Sequence, residues 1–185
     1  QWILITLLFN NRYIIQKFQQ KFPLYNETIF YLNSKSNDFS VILTIDDGLS
    51  RGGKKNSLVP QVLNLLNIYK STATFFACTD YIFDMDSDIN KIINSGHEFG
   101  NHLEKDISNY YNQLTIQEFD SQINKTNYKI EIASKTKLKW FRSPEGKLNT
   151  SMKNILNKYN MIHVLGDVFC HDHLINDPYF ISHIL

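Results

Sequence analysis

From about residue 40 onward the apolar residues follow two alternating rhythms. Short runs rich in β-branched and aromatic residues are separated by longer stretches in which apolar residues recur every three or four positions. The first rhythm is that of a strand buried on both faces, the second that of a helix with one apolar face. Val41–Ile45 reads as a strand ending at Asp46, Asp47 and Gly48. Val59, Val62, Leu63, Leu66 and Tyr69 then predict a helix that tolerates Pro60 because it falls in the first turn. Thr72–Ala77 reads as a strand, Tyr81–Asn94 as a helix stopped by Gly96, and His97–Phe99 as a short strand. Leu114–Ile132 predicts a long helix opened by a Thr115 and Glu118 capping box. Lys139–Phe141, Met152–Tyr159 and Met161–Val168 follow as strand, helix and strand. Alternation of this kind predicts an α/β protein with a mainly parallel sheet.

The two ends depart from this pattern. The apolar run Trp2–Phe9 is broken by Asn10, Asn11 and Arg12, well short of the roughly 20 residues that span a bilayer. It is either the tail of a membrane anchor or signal lying upstream of residue 1, or the start of a packing helix continuing through Tyr13, Ile14, Phe18 and Phe22 to Pro23. Apolar residues persist at helical spacing beyond Asn11, which favours the helix. Residues 1–39 therefore read as an N-terminal helix and lead-in, and 40–185 as one domain. The chain stops at Ile184 and Leu185 inside an apolar run, so the expectation is a fragment incomplete at its C-terminus.

Composition narrows the field mainly by exclusion. With 185 residues, 43% apolar and 20% charged, the chain has the make-up of one globular domain rather than of a disordered segment. Nineteen basic against eighteen acidic residues give a net charge of +1, too little for a global field that attracts nucleic acid. Cys78 and Cys170 stand far apart and outside any C-x-x-C pattern, so neither a disulfide nor a thiolate zinc site can be argued.

Chemistry is concentrated at the predicted carboxyl ends of strands, where loops of parallel sheets gather side chains into one crevice. Asp46 and Asp47 repel each other there and need a cation, a shared proton or good solvation; the bland reading is a solvated Asp-Gly turn. His102 and Asp106 would share one face and one metal if the chain turned helically after Asn101. His97 falls inside a predicted strand and would point away from His102. Arg142, just past the Trp140-Phe141 strand and before Pro144 and Gly146, is placed to hold a carboxylate with its fixed fork, with a surface ion pair as the bland reading. Trp140, Phe141 and Phe169 read as core more readily than as sugar-stacking platforms.

The order TIDDG at 44–48, GHEFGNH at 96–102 with LEKD after it, and FRSPEG at 141–146 resembles the polysaccharide deacetylases, the NodB-homology domain of carbohydrate esterase family four. The resemblance runs from about Val41 to the end of the chain, and STATFFA at 71–77 is similar to the family's second strand. It implies a distorted (β/α) barrel, truncated at its C-terminus. It implies Asp46 as general base, Arg142 as the residue that orients it, and Asp47, His102 and Asp106 as metal ligands. Asp106 stands where most members have a second histidine, and Leu103 where they have Ser or Thr, which resembles a branch with an Asp-His-Asp site. Asp167 and His171 become candidates for lining the site. A backbone N–H near Glu145 or Gly146 would help stabilise the oxyanion, and the histidine that protonates the leaving amine would lie beyond Leu185. The implied cofactor is a divalent metal, zinc first and manganese or cobalt as alternatives. The implied activity is removal of N-acetyl groups from an acetamido-sugar polymer or oligomer, outside the cell or at a membrane. The alternative is a pseudoenzyme of the same fold that binds metal or glycan without turnover.

Overall fold

The structure, a computed structural model, describes residues 11–32, 41–47, 57–82, 85–107, 111–170, 172 and 174–184. In chain order the elements are α1 (Arg12–Lys21), β1 (Leu43–Asp46), α2 (Val59–Ile68), β2 (Ala73–Ala77), α3 (Met85–Asn94), β3 (Glu98–Asn101), α4 (Ile116–Ser134), β4 (Trp140–Phe141), α5 (Thr150–Lys158), β5 (Ile162–His163) and α6 (Pro178–Ile184), with short 3-10 turns between some of them. They form two compact units, residues 37–163 on the one hand and residues 1–36 with 164–185 on the other.

The larger unit is a five-stranded parallel sheet in the order β1-β2-β3-β4-β5. A helix lies in each strand-to-strand connection, as parallel crossovers require. The strand order follows the chain without reversing, which is the progression of a (β/α) barrel wall rather than of a doubly wound sheet. The register sets Asp46 level with Phe76, Phe76 level with Gly100, and Asn101 level with Phe141. Every strand therefore ends at nearly the same height, and the residues just past those ends are brought side by side.

Burial follows the predicted rhythms. Both Phe75 and Phe76 of β2 are buried, as expected of a strand covered on its two faces. The long helix α4 buries Phe119, Ile123 and Ile130 completely, and the Phe119 ring meets Phe141 edge-on at 5.8 Å. Its capping box is present: the Thr115 hydroxyl accepts from the Glu118 N–H, and the Thr115 N–H donates to the Glu118 carboxylate. Gly100 leaves the space that Phe76 occupies. A methyl group at Gly100 would come within 2.5 Å of the buried Phe76 ring and 3.2 Å of the Trp140 carbonyl oxygen.

Three predicted elements are adjusted. The helix expected over Tyr81–Asn94 is a 3-10 turn at Thr79–Tyr81 followed by α3. The strand expected over Met161–Val168 shrinks to Ile162–His163, because β4 offers only Trp140 and Phe141 as partners before Pro144 and its turn end the ladder. Val164 makes a single bridge to Ile29 within the smaller unit. There, α1 begins at Arg12 and is capped by the Asn11 side chain on the Tyr13 N–H, and its packing face differs from the predicted one. Ile15 is buried, whereas Tyr13, Phe18 and Phe22 are 65%, 38% and 44% exposed. Phe18 packs instead against Phe22, Tyr25 and Phe30 in a partly exposed aromatic group. The run Trp2–Phe9 lies outside the described residues, and among the described residues no helix is long and apolar enough to cross a membrane.

Gly100→Ala is expected to destabilise the protein by about 1–3 kcal/mol, the usual penalty for overpacking a buried site. A urea midpoint unchanged from wild type would show that Phe76 moves aside freely.

Candidate active site at the strand ends

Each polar cluster leaves its strand through a residue in the left-handed region: Asp47 at φ +66°, Leu103 at φ +65° and Glu145 at φ +56°. Asp tolerates this conformation, but a bulky residue such as Leu103 adopts it only when its surroundings impose it. The surroundings do so here. The fully buried Asn101 side chain accepts from the Leu103 N–H at 2.7 Å and donates to the Ile123 carbonyl at 3.2 Å and to the Asn127 side chain at 2.8 Å. Asn101 thus ties the loop after β3 to α4.

That loop is not the helix on which the shared face of His102 and Asp106 was predicated. Its backbone is bonded sideways rather than along itself. The His102 N–H donates to Ala77 O, the Thr79 N–H to Leu103 O and the Asp80 N–H to Glu104 O, while the Tyr81 hydroxyl donates to Asp106 O. The two side chains still meet, with His102 Nε2 at 3.6 Å from Asp106 Oδ2. Glu104 points elsewhere, toward Lys125 and Lys129.

Arg142 is buried at the end of β4. Its guanidinium donates to Asp46 Oδ1 at 2.6 Å and to the Thr44 hydroxyl at 2.9 Å, and lies over the Phe76 ring with 4.2 Å to the centroid. Its carbonyl accepts at 2.7 Å from His102 Nδ1. Because a carbonyl oxygen only accepts, Nδ1 carries the hydrogen and Nε2 presents its lone pair, the tautomer suited to a metal ligand. Burial works to lower the His102 pKa, but the hydrogen bond that the protonated imidazole donates to the Asp106 carboxylate, the Asp46 charge and the Arg142 carbonyl outweigh it and leave it raised.

Asp47, Cys78 and His102 each bring one donor atom into a group in which all lie within 4.8 Å of one another. Oxygen, sulfur and imidazole nitrogen at that spacing suit a divalent cation of borderline softness. Asp106 touches His102 but is not in that group of three. Cys78 and Asn101 are the two residues the sequence reading passed over. Cys78 could have been found by counting, since it follows β2 by one residue as Asp47 follows β1 and His102 follows β3.

Glu145 forms the tip of the turn after Arg142 and pairs with Lys147. The Gly146 N–H donates to Ser143 O and closes that turn, so this amide is already engaged. Asp167 belongs to the smaller unit, where its carboxylate accepts from Arg12 at 3.0 Å. His171 lies outside the described residues. His97, as expected, faces away and accepts from the Ala73 N–H. Of the aromatics weighed as sugar platforms, Phe141 is wholly buried and Phe169 about half exposed.

The sheet is singly wound and parallel, and its strand ends unite two carboxylates, a tautomer-fixed histidine and a buried arginine. The sequence profile of the polysaccharide deacetylases matches residues 33–164, and the chain belongs to that family. Among solved structures it is similar to a variant of BA3943 from Bacillus anthracis, a pseudoenzyme of carbohydrate esterase family four with restored activity, with 27% identity and a TM-score of 0.69 over 80% of this chain and 52% of that one. The peptidoglycan deacetylase PdaC from Bacillus subtilis matches with 26% identity and a TM-score of 0.69 over 80% of this chain and 68% of that one. A family 4 acetyl xylan esterase from Clostridium thermocellum, in complex with cobalt, matches with 26% identity and a TM-score of 0.65 over 78% and 66%. The chain thus spans between about half and about two thirds of the length of these proteins.

Behind the Arg142 loop, His163 Nε2 accepts from the Ser143 N–H at 3.4 Å and lies 2.8 Å from the Ser143 hydroxyl. Burial, and then the Arg142 charge, lower its pKa from 6.5 to about 3. Between these values the unfolded chain binds a proton here that the folded chain refuses. Stability therefore falls as the pH drops through that window, by up to about 1.4 kcal/mol per pH unit for one proton. In His163→Gln the loss of stability on acidification is expected to be shallower by about that slope. Denaturant midpoints at about pH 6 and about pH 4.5 measure it, and parallel losses in the two proteins would contradict the assignment.

Proposed function

We propose that this protein is a metal-dependent hydrolase that removes N-acetyl groups from an acetamido-sugar polymer or oligomer. The observation that carries the reading is the double engagement of Arg142, which holds Asp46 with its side chain and orients His102 with its carbonyl. Asp47 and His102, with the Asp106 carboxylate beside them, would hold a divalent cation such as zinc, manganese or cobalt. When bound, the cation supplies Lewis acidity at the acetyl carbonyl.

Asp46 is the general base. Its side chain is 38% exposed, so it meets water, while the 2.6 Å bond from the almost fully buried Arg142 aims it. Arg142 itself is held by Thr44 and by the face of Phe76, so the pair does not reorganise as the proton moves. His102 keeps its Nε2 lone pair because its other nitrogen donates to Arg142 O. The second reading, a pseudoenzyme that keeps the fold and binds metal or glycan, is favoured by Asp106 and Leu103 standing where the family usually has a histidine and a hydroxyl.

Acetate release from N-acetylglucosamine oligomers, measured on the full-length protein with and without zinc, manganese or cobalt, separates the two. Metal-dependent release is expected, with Asp46→Asn losing at least about 100-fold while its thermal midpoint stays near wild type. Release that survives in Asp46→Asn would remove Asp46 as the base, and absence of release by wild type with metal bound would favour the pseudoenzyme. Asp106→Ala is expected to weaken metal binding about tenfold or more, whereas Glu104→Ala, whose carboxylate faces two lysines, leaves it nearly unchanged. Equal metal content in Asp106→Ala and wild type during competition with a chelator would take Asp106 out of the site.

A further inference from the structure

The reading above leaves one buried thiol unused. Cys78 is fully buried, one residue past the end of β2, and the backbone ladder runs on through it. Its N–H donates to Asp47 O at 3.3 Å, and the preceding Ala77 O accepts from the His102 N–H at 3.2 Å. A cysteine that merely fills a core behaves as a small apolar group. This one turns its sulfur toward polar atoms, donating to His102 O at 3.2 Å and standing 3.7 Å from Asp47 Oδ1.

Two donors on one tetrahedral cation, each about 2.0–2.3 Å from it, stand roughly 3.3–3.7 Å apart. The Sγ to Oδ1 distance already falls in that range, and the donor atom of His102 lies within 4.8 Å of both. Among the described residues, Asp47, Cys78 and His102 are the group of three potential ligands whose donor atoms all lie within 4.8 Å of one another.

We propose that Cys78 is a metal ligand, so that the cation is held by Asp47, Cys78 and His102 as an oxygen, sulfur and nitrogen set. The inference rests on the metal-site reading and sharpens it, because it fixes the class of metal. A thiolate favours zinc or cobalt over manganese or magnesium. On binding, the sulfur gives up its hydrogen to solvent as a proton and forms the bond to the cation with the lone pair.

Titration of the full-length, metal-free protein with cobalt(II) tests the proposal without any variant. A near-ultraviolet sulfur-to-metal charge-transfer band that saturates with one bound cobalt is expected. The band should persist in Cys170→Ser, which removes the second cysteine of these 185 residues, and vanish in Cys78→Ser. In competition assays Cys78→Ser should lower the preference for zinc over manganese by at least about tenfold. Cobalt bound without the band, or a band that survives in Cys78→Ser, would overturn the ligand assignment while leaving the hydrolase reading to the acetate assay. Failure of the wild-type protein to bind any of these metals would overturn both.

Discussion

Arg142 acts in two directions at once, and the arrangement of the site depends on that. Its guanidinium holds Asp46 and Thr44 on β1, and its carbonyl fixes the tautomer of His102 after β3. The strand that carries it lies beyond β3, so a single buried residue links three strand ends. Burying a guanidinium is costly unless it is paired. Here the pairing is supplied by a carboxylate and a hydroxyl from β1 and by an aromatic face from β2. The Phe76 face is available because Gly100, on the neighbouring strand, has no side chain to occupy that space.

The loops around the site store backbone strain. Asp47, Leu103 and Glu145 all take left-handed conformations, which Asp tolerates and which cost of order 1–3 kcal/mol at a residue such as Leu103. What they accomplish is a sharp exit from the strand, so that residues just past the ladder face one another instead of following the sheet. Asn101 offsets part of the cost at Leu103 by accepting its N–H, and the sideways bonds to the Thr79–Tyr81 turn hold the rest of the loop.

The likeness to a peptidoglycan deacetylase, an acetyl xylan esterase and a pseudoenzyme with restored activity places equal weight on the fold and none on turnover. Function in this chain is therefore argued from the particular residues at its strand ends. The Asp46 and Arg142 pair speaks for hydrolysis, and the donor set of Asp47, His102 and their neighbours speaks for a cation.

The sequence by itself determined the order of elements, because burial on two faces and burial on one face write different periods into the chain. The capping box of α4, the strand endings at Asp46 and Phe141, and the clustering of acids, histidine and arginine at those endings were all legible for that reason. Its local rules failed where partners far away in the chain set the outcome. β5 is short because β4 is short, α1 buries Ile15 rather than its aromatics, and the chain after Asn101 forms a loop because the turn after Cys78 takes its backbone bonds. Only the tertiary structure decided that Cys78 lies beside Asp47 and His102. Register between strands 24 to 31 residues apart is a property of packing, and no spacing along one chain records which sulfur will face which carboxylate.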